Sequence, residues 1–189
     1  MRNSIKFFRG PKNNVLNRYY ATAKTYDVRN IIRITSDCPL IDPKILDKMI
    51  LKFKKKKFDY LSNTYPEPST YPDGMDIEIF TFNALKAAAK YSTKKSEKEH
   101  VTLYIRRSGK FKTFRFDLTK DISNYRLTVD YLKDFELFKN IINKFKKNIF
   151  LVGMKEIIEF IDKNPKLVEY QKNILRNEKF LNDLKRDRI

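Results

Sequence analysis

The chain has 189 residues, 41% of them hydrophobic, with 15 Phe and 11 Tyr, a composition that excludes a disordered protein. Its length is sufficient for one α/β domain with a core of its own and short for two. The formal net charge is +18, and no run of about 18 apolar residues is present, so we expect neither a membrane span nor a membrane partner.

The first half of the sequence alternates predicted strands with predicted helices. The predicted strands cover residues 5–8, 30–35, 59–64 and 76–80, and the predicted helices cover residues 15–26, 43–55 and 83–91. Asn14 and Asp42 precede the first two helices as candidate N-caps, and Pro43 occupies a first helical position.

The second half continues in the same way. Strands are predicted over residues 111–118, as an antiparallel or edge strand, and 126–130, and helices over residues 97–107, up to Phe145, over 154–161 and over 168–188. This alternation predicts an α/β fold with a mostly parallel sheet flanked by helices. We divide the chain into an α/β domain over residues 1–150 and a helical C-terminal extension over residues 151–189.

Two of the predicted strands end close to an acidic residue. The strand over residues 30–35 runs into a loop that carries Asp37, and the strand over residues 126–130 ends at Asp130. In open α/β sheets, ligands bind in the crevice at the carboxyl ends of the strands. Each acid also has a simpler interpretation, Asp37 as a turn residue before Pro39 and Asp130 as the N-cap of the next helix.

The positive charge by itself favours a polyanionic partner such as a nucleic acid. Most of the basic residues are Lys, however, whereas base recognition favours Arg. The one basic run, residues 54–57, falls at the end of a predicted helix, where it suits the helix dipole. Nucleic-acid binding is therefore the least favoured function. The single cysteine, Cys38, cannot form an internal disulfide, which indicates a reducing, cytoplasmic location.

An ordered set of motifs resembles one known family. It comprises residues 14–20 (NVLNRYY), 33–43 (RITSDCPLIDP), 62–64 (SNT), 71–80 (YPDGMDIEIF), 99–102 (EHVT) and 126–130 (RLTVD). No motif is decisive alone, but their order and spacing resemble the cytidylyltransferase-like proteins of spore-coat polysaccharide biosynthesis, which are related to the CMP-sialic acid and CMP-Kdo synthetases.

The resemblance implies a nucleotidyltransferase of the glycosyltransferase-A type that moves CMP from CTP to a sugar acid with Mg²⁺. The two acids that hold the metal in the related synthetases match Asp37 and Asp130. Hard oxygen ligands at two strand ends agree with what Mg²⁺ requires beside substrate phosphates. The related synthetases commonly dimerise, so a homodimer is also expected.

The sequence also departs from the family. The strand and basic, Gly-containing loop with which family members begin, and which grips the triphosphate, is absent, and none of the 4 glycines occupies a nucleotide-loop context. Leu132 and Lys133 replace the family's usual Pro and Glu. We therefore expect an N-terminally truncated chain that lacks the first strands and does not turn over CTP alone. Such a chain is expected either to be poorly soluble or to associate with a partner chain that supplies those strands.

Further candidate substrate-binding residues come from the same motifs. Asp73 and Gly74 form a predicted turn that shapes the acceptor loop, with Gly74 providing a positive φ. Asp76 and Glu78 share one face of a strand that lines the acceptor pocket or, alternatively, faces solvent. His100, the single histidine, is a further candidate, for which a hydrogen-bonded structural role is favoured over acid–base work.

Two arginines complete the candidate site. Arg33 and Arg126 are candidates to contact a phosphate or the sugar carboxylate, with a buried or rim ion pair as the competing interpretation. Outside the enzyme interpretation, the alternative from a different class is a non-catalytic remnant or a protein-interaction module.

Overall fold

Four short strands form a single sheet in the order β1–β3–β2–β4 within residues 5–187, which the computed structural model describes except for the side chains of Lys147, Asn173 and Lys179. The strands are β1 (Asn30–Arg33), β2 (Tyr60–Ser62), β3 (Glu78–Thr81) and β4 (Thr113–Arg115). Strand β3 pairs antiparallel with both β1 and β2, and β4 pairs parallel with β2.

The α/β class is confirmed, but the sheet is mixed and the prediction of a mostly parallel sheet is wrong. The reason lies in the connection between β2 and β3, which contains no helix. Parallel neighbours are usually joined by a crossover that contains a helix, whereas strands joined by a loop on one edge of the sheet pair antiparallel. The Pro-rich loop after β2 returns the chain in this way, and β3 inserts between β1 and β2.

Helices cover both faces of this sheet. In chain order they are α1 (Val15–Thr25), α2 (Pro43–Lys56), α3 (Phe82–Tyr91), α4 (Lys95–Glu99), α5 (Leu103–Arg107), α6 (Leu132–Phe145), α7 (Met154–Asp162) and α8 (Glu178–Arg186), with 3₁₀ turns over Lys146–Leu151 and Pro165–Asn173. The predicted N-caps are confirmed: Asn14 accepts from the N–H of Asn17 at 2.9 Å, and Asp42 accepts from the N–H of Lys44 at 2.8 Å.

The core lies on both sides of the sheet because successive strand residues point to opposite faces. Tyr60 and Phe80 belong to the apolar cluster under α1 and α3, whereas Leu61 and Ile79 belong to the cluster under α2, α6 and α7. Helix α7 contributes buried residues to that second cluster, so the residues after position 150 pack on the same core as the sheet. No helix of the described chain is long and apolar enough to cross a membrane.

Three predicted elements differ from the structure. Residues 5–8 form no strand. The helix predicted over residues 97–107 is divided into α4 and α5, because Val101 adopts a positive φ of 31° between them. The predicted C-terminal helix is a 3₁₀ turn followed by α8, with the left-handed residue Asn177 (φ 58°) before α8. Arg188, its last predicted residue, lies outside the described residues.

Residues 126–130 are extended but form no strand of the sheet, contrary to prediction. Their backbone donors bond to two different loops: the N–H of Leu127 donates to the carbonyl of Asp73 at 2.6 Å, and the N–H of Val129 donates to that of Asp37 at 2.8 Å. This segment therefore joins the loop after β1 to the loop before β3, and a single bridge between Asp73 and Arg126 is its only β pairing in the described chain.

Gly74 makes that junction sterically possible. Its φ is +95°, as the predicted turn requires. A Cβ at this position would lie 2.3 Å from the backbone nitrogen of Thr128 and 2.5 Å from the carbonyl carbon of Leu127. Both are backbone atoms of the segment that ends at Asp130, so a side chain here would push the two loops apart.

We predict that Gly74→Ala lowers the free energy of unfolding by about 3 kcal/mol or more, because backbone overlap adds to the strain of a positive φ. Gly109→Ala is the matched control, since Gly109 also has a positive φ (+67°) but a Cβ there meets nothing within 4 Å. It should cost about 1–2 kcal/mol. Urea unfolding measures both, and equal losses would contradict the assigned role of the close approach.

Candidate functional site

A cavity of about 1060 Å³ opens at the carboxyl end of β1. The loop after β1, the start of β3, the region around α4 and α5, the segment before α6 and the C-terminal residues all contribute to its wall. Every candidate site residue predicted from the sequence except Gly74 lines it: Arg33, Asp37, Asp73, Asp76, Glu78, His100, Arg126 and Asp130. Gly74 lies beside the cavity as the neighbour of Asp73.

Four of these side chains form an acidic cluster: Asp37, Asp73, Asp76 and Asp130. Burial raises the pKa of Asp76 to about 7, and the negative charges of Asp73 and Asp37 contribute to that rise. Burial also raises the pKa of Asp73, and the charge of Asp130 contributes there. The carboxylates are thus close enough to repel one another, which favours a cation between them.

The loop that carries Asp37 is held by hydrogen bonds from the neighbouring Cys38 and from the segment before α6. The thiol of Cys38, itself buried, donates to the Asp37 carboxylate at 3.7 Å and is within 3.2 Å of the Thr35 hydroxyl. The carbonyl of Asp37 accepts from the N–H of Val129, one residue before Asp130. The two predicted metal ligands therefore come from segments that are hydrogen-bonded to each other.

Arg126 forms three ion pairs around the acidic cluster. Its Nη1 donates to Asp73 at 2.8 Å, and its Nη2 donates to Asp130 at 2.6 Å and to Asp134 at 3.1 Å. Of the two roles left open by the sequence, the structure therefore shows the buried ion pair.

Asp134 is a residue that the sequence analysis did not assign to the site. Its buried carboxylate accepts from the N–H groups of Asp130 and Tyr131, both at 3.0 Å. Burial opposes ionisation, but the hydrogen bonds from Arg126 and from these N–H groups hold the pKa of Asp134 below its usual value. The N-cap of α6 is Tyr131 with Asp134 as its capping partner, so the simpler interpretation of Asp130 as N-cap is wrong.

A second buried network surrounds Glu78, which is 5% exposed. Its carboxylate forms an ion pair with Arg33 and accepts from the hydroxyls of Tyr60 at 2.6 Å and Thr102 at 2.5 Å. Burial alone would raise the pKa of Glu78, but the charges of Arg33 and Arg106 and the two hydroxyl hydrogen bonds lower it to about 2. The alternative that Glu78 faces solvent is therefore wrong.

His100 occupies a hydrogen-bonded position at the cavity wall. Its Nε2 lies 3.0 Å from the carboxylate of Asp183, and its ring meets the ring of Phe180 edge-on at a centroid distance of 4.9 Å. Both partners belong to α8, so the histidine connects the core of the protein to its C-terminal end.

The C-terminal segment, residues 165–187, supplies a site residue that sequence reasoning missed. Arg176 donates to the carbonyl of Tyr71 at 2.8 Å and to the carboxylate of Asp76 at 3.3 Å, and its Nε lies 3.8 Å from Asp73. No local pattern could identify it, because its partners lie about a hundred residues earlier in the chain.

The two predicted metal ligands can be compared with what a Mg²⁺ ion requires when it binds together with a nucleotide. Asp37 and Asp130 offer hard carboxylate oxygens, and Mg²⁺ bound with a nucleotide commonly takes only one or two carboxylates plus phosphate oxygens and waters. Within residues 5–187, no group of three or more His, Cys, Asp or Glu side chains is arranged to hold a metal ion. These residues do not fit an ion coordinated by protein alone, and two carboxylates could hold Mg²⁺ only together with phosphate oxygens and waters.

Comparisons with known proteins identify the family of the chain. A family model described as cytidylyltransferase matches residues 2–181. The chain is 35% identical over 173 residues to an uncharacterized protein of Methanocaldococcus jannaschii, covering 90% of this chain and 68% of that protein. It is 30% identical over 169 residues to the spore coat polysaccharide biosynthesis protein SpsF of Bacillus subtilis, covering 87% of this chain and 68% of SpsF.

A solved structure also matches. A cytidylyltransferase from Leptospira borgpetersenii serovar Hardjo-bovis superposes with a TM-score of 0.79 at 37% identity, and the match covers 89% of this chain and 69% of that one. The family model covers nearly the whole chain, and the mixed sheet with helices on both faces matches a solved member. The chain belongs to the cytidylyltransferase family.

Proposed function

We propose that the chain acts in the transfer of CMP from CTP to a sugar acid, with Mg²⁺, in the synthesis of a surface polysaccharide. The similarity to SpsF supports the pathway. The observation that carries the proposal is that one cavity is lined both by the four carboxylates of the acidic cluster and by arginines, among them Arg33 and Arg106. Such a wall suits a metal-bound triphosphate together with an anionic acceptor.

The transfer requires one bond to form and one to break. An acceptor oxygen bonds to the α-phosphorus of CTP, the bond from that phosphorus to the bridging oxygen of the β-phosphate breaks, and pyrophosphate leaves with the electron pair. Asp37 and Asp130 would hold Mg²⁺, which when bound neutralises negative charge on the phosphates.

The protein contributes by holding its charged groups in place before the substrates bind. Arg126 fixes one oxygen of Asp130, and the thiol of Cys38 donates to the carboxylate of Asp37, so neither carboxylate needs to be ordered by the substrate. Groups ordered in advance cost less conformational entropy on binding. The two acids can therefore receive an ion at a defined position.

Arg33 is held in a comparable way for an anion. Glu78 pairs with one of its nitrogens, while its Nε is buried and has no hydrogen-bond partner among the described residues. The Nε of Arg106 is buried and equally unpaired in this part of the structure. Buried donors without partners are rare in native proteins, and an acidic group of the substrates would supply their acceptors.

Two further proposals concern the partner chain and the cellular location of the protein. The outer edge of β1 has no strand partner within residues 5–187, which supports a homodimer or a partner chain that adds strands there. A cytoplasmic location is proposed from the lone cysteine.

The first test of this function is ligand-induced stabilisation. We predict that Mg²⁺ with CTP raises the Tm of the parent chain and that Asp37→Asn abolishes the shift, because it removes a charged oxygen ligand. Asp47→Asn is the matched control, since it removes the same charge from an exposed position of α2 and should leave the shift intact. Differential scanning fluorimetry measures all three proteins.

A parent chain whose Tm does not change would contradict nucleotide binding and favour the protein-interaction alternative. A shift that survives in Asp37→Asn would refute the metal assignment alone. If the parent chain shows the shift, its transfer activity can be measured by incubating it with CTP and candidate sugar acids and detecting pyrophosphate.

A second prediction concerns Glu78 and pH. Its folded pKa of about 2 lies below its ordinary value of 4.5, so its ionised form stabilises the fold above pH 4.5, and that contribution disappears as the pH falls toward 2. Glu78→Gln should therefore lower the free energy of unfolding by about 3 kcal/mol at pH 7, the scale of a broken buried pair. The deficit should shrink as the pH falls below 4.5.

Urea unfolding between pH 7 and pH 3 measures that deficit against the parent chain. Glu136→Gln, at an exposed position of α6, is the control and should change little at any pH. A deficit for Glu78→Gln that is constant across this range would contradict the assigned ion pair.

A further inference from the structure

Arg33 and Arg106 both line the cavity and keep hydrogen-bonding capacity for a ligand. Among the described residues, Arg33 forms an ion pair with Glu78 alone, and Arg106 forms none. The Nε of each is buried without a hydrogen-bond partner in the same part of the chain. Arg126 also has an unpaired Nε, but three carboxylates already surround its guanidinium. Arg33 and Arg106 are therefore the arginines that remain available to an anion.

Two aromatic rings hold the guanidinium of Arg106. Its central carbon lies 4.7 Å from the centroid of the Tyr65 ring and 5.4 Å from that of the Phe180 ring. The hydroxyl of Tyr65 also donates to the carbonyl of Arg106 at 3.3 Å, which keeps this ring beside the guanidinium. A cation attracted by the face of a ring spends none of its N–H donors on that contact. The rings therefore position Arg106 and leave its donors for an acceptor.

Glu78 determines the net charge of this part of the wall. Burial would raise the pKa of its carboxyl group, but the charges of Arg33 and Arg106 hold that pKa at about 2, so Glu78 is ionised at neutral pH. The two guanidinium groups and this one carboxylate leave a single positive charge uncompensated. A ligand group with one negative charge would balance it, whereas a triphosphate carries several negative charges and would exceed it.

We propose that Arg33 and Arg106 form a subsite for one carboxylate, the carboxylate of the sugar acid, and that Glu78 is the positioning residue that holds Arg33 in it. This inference rests on the proposed function in taking the acceptor to be a sugar acid. The planar fork of N–H donors on a guanidinium matches the two oxygens of a carboxylate. The subsite would thus select an acidic sugar over a neutral one.

The test uses lactate as a minimal probe, because it carries one carboxylate and an adjacent hydroxyl, and lactamide as its uncharged counterpart. Saturation-transfer difference NMR at constant ionic strength follows the methyl signal of each compound in the presence of the full chain. Lactate should bind to the parent chain saturably and lactamide much more weakly. No saturable binding of lactate, or equal binding of the two compounds, would overturn the proposal.

Variants of Arg106 are the informative ones, because Arg33→Met would leave Glu78 buried without its ion-pair partner and could prevent folding. Arg106→Met should raise the Kd for lactate by roughly tenfold or more, the scale of lost hydrogen bonds to a charged group. Arg106→Lys should also bind lactate more weakly than the parent, since it keeps the charge but loses the fork.

Arg107→Met is the matched control, because it removes the same charge from the neighbouring, exposed position of α5. It should leave the Kd for lactate unchanged. Unaltered lactate binding by Arg106→Met would overturn the proposal, as would an equal loss in Arg107→Met, since that would show a general charge effect.

Competition in the parent chain distinguishes a carboxylate subsite from a phosphate subsite and requires no variant. Inorganic phosphate should displace lactate only at concentrations above that of lactate itself, and CTP with Mg²⁺ should leave lactate bound. Displacement of lactate by less phosphate, or by CTP with Mg²⁺, would assign the two arginines to the nucleotide and overturn the proposal.

These outcomes are separable from the proposed function. Lactate binding that depends on Arg106, in a chain whose Tm does not respond to CTP, would refute only the nucleotide assignment. A Tm that responds to CTP, in a chain that binds lactate no better than lactamide, would refute only the carboxylate subsite.

Discussion

The ion pairs of Arg126 hold together the parts of the molecule that make the cavity. One guanidinium meets Asp73 from the loop before β3, Asp130 from the segment before α6, and Asp134 from α6 itself. These carboxylates would repel one another without it, and a buried charge that loses its partner costs about 3–5 kcal/mol. The close approach at Gly74 brings the same loops together through their backbones. The ion pairs of Arg126 and the close backbone contact at Gly74 thus favour the same arrangement of these loops.

That arrangement explains how a chain with a net charge of +18 can have an acidic cluster in its cavity wall. The excess positive charge lies largely on exposed lysines, whereas the cavity is lined by more acidic side chains than basic ones. The local potential there is set by the carboxylates and by the few arginines held against them. Charge distribution therefore says more about the ligands of this protein than net charge does.

The sequence predicted the elements whose signals are local. The caps Asn14 and Asp42 were identifiable because a side chain bonds to a nearby backbone N–H, and Asp37 was identifiable because it follows a strand. Residues 126–130 were predicted as a strand because apolar and polar side chains alternate along them as in a strand. Their backbone N–H groups, however, donate to loops and not to a neighbouring strand. Arg176 could not be predicted, because its role arises only from the folding of a distant segment over the cavity.

The most direct test of the account is a crystal structure of the chain with Mn²⁺ and a non-hydrolysable CTP analogue, using anomalous scattering to locate the ion. We expect an anomalous peak coordinated by Asp37 and Asp130 and by phosphate oxygens of the nucleotide. Nucleotide bound in the cavity with its ion held elsewhere, or no nucleotide in the cavity at all, would contradict the account.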